Sequence, residues 1–103
     1  MSCCMVIATC SGEDEARALA SKIIENRLAA CVQLSTVTSM YTWQDKVCTE
    51  PEIRLVMKTR DRLYKTLETF IRDNHAYEVP QIVKVPIEDG YPPYLDWISD
   101  TTG

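Results

Sequence analysis

Two periods of apolar residues alternate along this chain, one of strands and one of helices. Cys4-Met5-Val6-Ile7-Ala8-Thr9-Cys10 is a continuous apolar run too short for a helix, which predicts a strand covered on both faces. Ser11-Gly12-Glu13-Asp14 then fits a Ser-x-x-acid capping box, with acids where a helix N-terminus favours them. Ala16, Leu19, Ala20, Ile23, Ile24 and Leu28 follow at helical spacing and predict a helix from Gly12 to Arg27. From Ala29 to Trp43 the chain is rich in Val, Thr, Ser and aromatics, as a strand would be. Its alternation weakens at Ser35-Thr36, where a bulge or bend is expected.

Gln44-Asp45 is the expected turn, and the return strand is Lys46 to Thr59. There Ile53, Leu55 and Met57 alternate with Glu52, Arg54, Val56 and Lys58, so one face is core and the other polar. Pro51 cannot donate a ladder bond and marks an edge or a bulge. A second helix runs from Asp61 to Asn74 on a stripe of Leu63, Leu67, Phe70 and Ile71, with Asn74 as a left-handed stop. Val79 to Ile87 is the last core strand, and a short helix begins near Pro92 or Pro93. The order β-α-β-β-α-β plus a tail helix predicts one α+β domain over residues 1–103. Its architecture is a ferredoxin-like antiparallel sheet with two helices on one face.

The central hairpin is too long for that core. Its return strand, residues 46–59, spans roughly 45 Å at ~3.3 Å per residue. A compact domain of this size is only about 35 Å across. The hairpin therefore projects, and pairing with further copies of the chain is the simplest way to cover it.

Composition narrows the function by exclusion. Eleven Lys+Arg against 15 Asp+Glu give a net charge of −4, without the basic footprint of a nucleic-acid or anionic-membrane binder. RNA-recognition modules share this element order but carry aromatics on the third strand, and Glu52 to Thr59 has none. No apolar run reaches the roughly 18 residues of a membrane span, and no basic residue precedes the first apolar stretch as in a signal peptide. The five cysteines are odd in number and form no Cys-x-x-Cys, which speaks against a disulfide framework or zinc knuckle and for a reducing, cytoplasmic setting. Cys10 and Cys31 lie in apolar runs, where a thiol behaves as a small buried hydrophobe. With a single histidine, three glycines and no Gly-x-Ser-x-Gly, the chain offers no enzyme machinery and no cradle for an organic cofactor.

Two constellations remain. His75-Ala76-Tyr77-Glu78 supplies one imidazole and one carboxylate, so His75 and Glu78 are the candidate metal ligands. A complete site needs a further donor from another chain or a cysteine. A loop histidine hydrogen-bonded to a carboxylate is the plainer alternative. Ser39, Tyr41 and Trp43 share one strand face, either as a packing ladder between chains or as the floor of a ligand pocket with Glu52, Lys58 and Tyr77.

Leu28-Ala29-Ala30-Cys31-Val32, Ser39-Met40-Tyr41-Thr42-Trp43, Lys58-Thr59 and His75-Ala76-Tyr77-Glu78-Val79-Pro80 stand in an order and spacing that resemble the CutA family of divalent-cation tolerance proteins. The resemblance runs from Val6 to Trp97. It implies a homotrimer interlocked through the hairpin, a kinship with PII-type signalling proteins, a cytoplasmic setting, a link to copper and other divalent ions, and no established enzymatic reaction. The family's His-Pro-Tyr-Glu reads His75-Ala76-Tyr77-Glu78 here, and its Trp-x-Gly turn reads Trp43-Gln44-Asp45. Of the first-strand cysteine and paired histidines that hold copper in some bacterial relatives, the alignment leaves only His75: Ala8 or Thr9 stands at the cysteine and Asn74 at the first histidine. Cys10, offset by one or two residues, is an outside candidate. Two functional readings follow: a trimer that binds or responds to Cu²⁺ or another divalent cation, and a PII-like sensor that holds a small ligand without metal.

Overall fold

The computed structural model describes residues 2–103. Its elements are β1 (Cys3–Cys10), α1 (Glu13–Glu25), β2 (Cys31–Trp43), β3 (Lys46–Arg60), α2 (Tyr64–Asp73), β4 (Ile82–Ile87) and α3 (Pro92–Thr101), with one 3-10 turn at Asp61–Leu63. The strands form one sheet in the order β2-β3-β1-β4, with every neighbouring pair antiparallel. This is the expected α+β, ferredoxin-like arrangement.

The core lies between one face of the sheet and the two long helices. Cys4, Val6, Ala8 and Cys10 of β1 and Leu55 and Met57 of β3 meet Ala16, Leu19 and Ile23 of α1 and Leu67 and Ile71 of α2. Strand residues of one parity face these helices, as period-two alternation requires. The other face is covered only at one end, where Ile98 of α3 packs on Cys3 and Ala30. Away from α3 that face is open.

The hairpin runs out of the core as its length demands. The molecule measures 44 × 25 × 22 Å, and Met40 and Val47 near the tip are 72% and 77% exposed. Gln44 and Asp45 turn the chain with φ of 51° and 63°, the left-handed pair that a two-residue hairpin requires. Pro51 sits just beyond Ile53, the last residue of β3 paired with β1, so one edge of the strand there has no neighbour to bond.

Local expectations fail at four places. Ser11 does not cap α1: the N-cap is Gly12, and Ser11 Oγ donates to Glu15 Oε2 at 3.1 Å instead. No bulge interrupts β2, whose register with β3 is continuous from Cys31↔Lys58 to Trp43↔Lys46. Unbroken pairing satisfies the backbone groups that β2 and β3 turn towards each other, which outweighs the weak alternation at Ser35-Thr36. Asn74 is not left-handed (φ −113°); its amide Nδ2 donates to the Phe70 carbonyl at 2.8 Å and closes the helix end that way. Finally, β4 begins at Ile82 rather than Val79. Gln81 would fall opposite Thr9, whose carbonyl is taken by the His75 ring. Residues 75–81 are thus free to build a site.

Candidate functional site

Two arrangements draw on the loop after α2. In the first, Cys10 at the end of β1, Glu15 in the first turn of α1 and His75 bring three donor atoms within 4.8 Å of one another. The chain reversal between β1 and α1 places Cys10 and Glu15 together, and the loop delivers His75, with Cys10 Sγ 3.9 Å from His75 Nε2. The backbone N–H of Tyr77 donates to His75 Nδ1 at 3.0 Å. That bond assigns the ring proton to Nε2, which donates to the Thr9 carbonyl at 2.7 Å.

The thiol beside it is not an activated nucleophile. Burial, followed by the nearby Glu15 carboxylate, pushes Cys10 up to about 11, so it is a thiol at neutral pH. Glu15 Oε1 is buried without a hydrogen-bond partner. Sulfur, carboxylate oxygen and imidazole nitrogen make a donor set suited to zinc or copper, with water as a fourth ligand. A cation would satisfy the lone Glu15 oxygen. Capture of an ion through Nε2 would displace its proton from Thr9. A proton then held on Nδ1 would face the Tyr77 N–H, donor against donor. An ion held at Nε2 would therefore require the 75–77 loop to move.

The second arrangement is a cleft of about 710 Å³ on the open face of the sheet, between the hairpin and residues 76–81. Tyr41, Trp43 and Tyr77 give it aromatic walls, and Glu52 and Glu78 supply its charge. Tyr77 Oη donates to Glu52 Oε2 at 2.7 Å, and Glu52 is only 7% exposed. Desolvation, then Glu52, raises the Tyr77 hydroxyl well above the ordinary phenol range, so it remains a donor. The His75 and Tyr77 rings stand 4.8 Å apart at 51°, which links the two arrangements.

Tyr41, Trp43, Glu52 and Tyr77 all line this cleft. Lys58 is elsewhere. Six residues along one strand put it about 20 Å from Glu52, where its Nζ donates to Gln33 Oε1 at 2.8 Å and lies 5.7 Å over the Tyr94 ring. Glu78 is also displaced from its expected role: it lines the cleft, and Glu15 stands with His75 in its place. Glu15 was masked by its position in an acidic first turn, where Glu13 and Asp14 have an equally good helical reason to be present.

Comparison with known proteins agrees with this architecture. The family model described as CutA1 divalent ion tolerance protein matches residues 4–101. Protein CutA of Mus musculus is 40% identical over 95 residues, covering 91% of this chain and 54% of the relative. Divalent-cation tolerance protein CutA of Thermus thermophilus is 39% identical over 100 residues, covering 96% and 97% respectively. The crystal structure of CutA1 from Oryza sativa superposes with a TM-score of 0.97 at 35% identity, covering 100% of this chain and 95% of that one. The chain spans about half the length of the mammalian relatives it matches and nearly all of the Thermus one.

Proposed function

The chain belongs to the CutA1 divalent ion tolerance family, and from that premise we propose that it is a non-enzymatic metal-binding protein whose ion is held by Cys10, Glu15 and His75. The observation that carries this reading is the convergence of three donors of different chemistry within 4.8 Å, one of them with an unsatisfied buried oxygen. Copper heads the divalent affinity series for nitrogen, oxygen and sulfur donors and is the favoured ion. The working form is a homotrimer joined through the hairpin, supported by the exposed apolar residues at its tip. All five cysteines are free, which supports a cytoplasmic setting. No helix among the described residues is long and apolar enough to cross a membrane.

Calorimetry with Zn²⁺, which does not oxidise thiols, tests the site directly, followed by Cu²⁺ under anaerobic conditions. One ion per chain is expected, with release of protons and a loss of about tenfold or more in affinity for His75→Ala, Cys10→Ser and Glu15→Gln. Equal binding by all four proteins would refute the ligand set. A second reading, a small-ligand sensor, is favoured by the volume and aromatic walls of the cleft.

A further inference from the structure

The connection from β4 to α3 holds the chain's one Asp-Gly pair, Asp89-Gly90. It lies away from the metal cluster, the cleft and the hairpin. Ile87, the last residue of β4, pairs with Cys3 at one end of the sheet, whereas the hairpin leaves at the other end, beyond Cys10↔Ile53. Glu88, Asp89 and Gly90 are exposed and belong to no helix or strand. The backbone N–H of Gly90 donates to Asp89 Oδ1 at 2.8 Å. A side-chain oxygen held on the next residue's amide brings the carboxyl carbon to which it is bonded towards the same nitrogen. Glycine has no β-carbon to obstruct that approach. A connection outside the sheet ladder can also supply the backbone rotation that ring closure needs.

We propose that Asp89-Gly90 is a site of spontaneous covalent modification, at which aspartate isomerises to isoaspartate through a cyclic imide. The Gly90 nitrogen gives its proton to solvent and bonds to the carbon of the protonated Asp89 carboxyl, whose hydroxyl leaves with a proton as water. Water then adds to one of the two imide carbonyls and breaks its bond to nitrogen. Opening at the side-chain carbonyl restores aspartate. Opening at the backbone carbonyl leaves the chain running through the β-carbon of residue 89, with a free α-carboxylate. Nothing is oxidised or reduced, and one water is lost and one regained. The backbone has then gained a carbon just before α3. The change is felt in the smaller core: a β-carbon at residue 90 would stand 3.1 Å from Leu95 Cδ2, and Leu95 packs on the cluster of Cys3, Ala30 and Ile98. No side-chain cap holds the first turn of α3, so the helix should loosen from the sheet. The inference is independent of the metal site and of the cleft.

The test ages the intact protein in warm neutral buffer made with heavy-oxygen water. Electron-transfer mass spectrometry of its peptides distinguishes isoaspartate from aspartate, and the label separates ageing from changes during digestion. Isoaspartate carrying heavy oxygen is expected at residue 89, well above the level at any other aspartate. Asp89→Glu, whose longer side chain would close a larger and slower ring, should lose the product. Gly90→Ala should lower it several-fold, and either variant serves if the other does not fold. Absence of labelled isoaspartate at residue 89, an equal yield at the other aspartates, or an undiminished yield in Gly90→Ala would overturn the proposal.

Discussion

The Cys10, Glu15 and His75 cluster and the aromatic cleft share one loop but hold their polar atoms in opposite states. In the cluster nearly everything is already satisfied: His75 accepts from Tyr77 and donates to Thr9, and Cys10 keeps its proton. Only the Glu15 Oε1 oxygen lacks a partner. In the cleft the rings are half exposed and a buried carboxylate has one neutral partner. A closed network admits an ion only by exchanging protons and shifting its loop, so its binding should depend on pH. An open pocket with a standing charge should bind without such exchange.

The largest effect separates the two through the hairpin. Trp43→Asp places a charge in the apolar contact that the trimer would form, at a cost of several kcal/mol. Sedimentation should show a loosened assembly and a lost cleft wall, while Zn²⁺ affinity at the cluster persists. A wild-type protein that is monomeric at micromolar concentration would remove the assembly from the account. Next, Tyr77→Phe deletes the hydroxyl on Glu52 and leaves the backbone bond to His75 in place. Denaturation should report a loss of about 1–3 kcal/mol, the desolvation cost of the orphaned carboxylate, with metal binding unchanged. Equal damage to both sites would mean that they are not separable.

Protonation distinguishes them further. Because metal must displace the proton of a thiol raised to about 11, apparent Zn²⁺ affinity should rise up to about tenfold per pH unit above neutrality. The cleft, whose lining holds no thiol, should contribute nothing to this slope. The same thiols affect stability. Cys4 and Cys10 are both pushed up to about 11, chiefly by burial, whereas thiols in an unfolded chain ionise near about 8.5. Stability that is complete below that value should therefore fall as the pH rises towards 11, because the unfolded chain loses protons first. Urea midpoints across this window check it, and a flat profile would contradict the burial of the thiols. The smallest effect lies at the hairpin tip. Asp45 holds φ at 63°, so Asp45→Gly should raise stability by about 0.5–1 kcal/mol without altering either site.

The sheet and helices were legible because each apolar stripe has a period and the period has one structural cause. Leu55 and Met57 point inward for the same reason that they alternate with Arg54 and Val56. The cleft was partly legible on the same principle: Tyr41, Trp43 and Glu52 share a face once β2 and β3 pair in continuous register. Lys58 shares that parity but not that place, since parity fixes a face and says nothing of distance along it. The cluster was the least legible part. Cys10, Glu15 and His75 meet through a chain reversal and a loop without regular structure, and neither has a period. Ser11 was equally ambiguous, with one hydroxyl suited both to capping the helix and to bonding Glu15; the structure shows the second.

Metal capture at His75 is open to direct observation by nitrogen-resolved NMR of the imidazole during a Zn²⁺ titration. Nε2 should lose its proton and its bond to Thr9, the Tyr77 amide should shift in step, and both changes should saturate together at one ion per chain. Saturable Zn²⁺ binding that leaves the His75 nitrogens and the Tyr77 amide unmoved would contradict it.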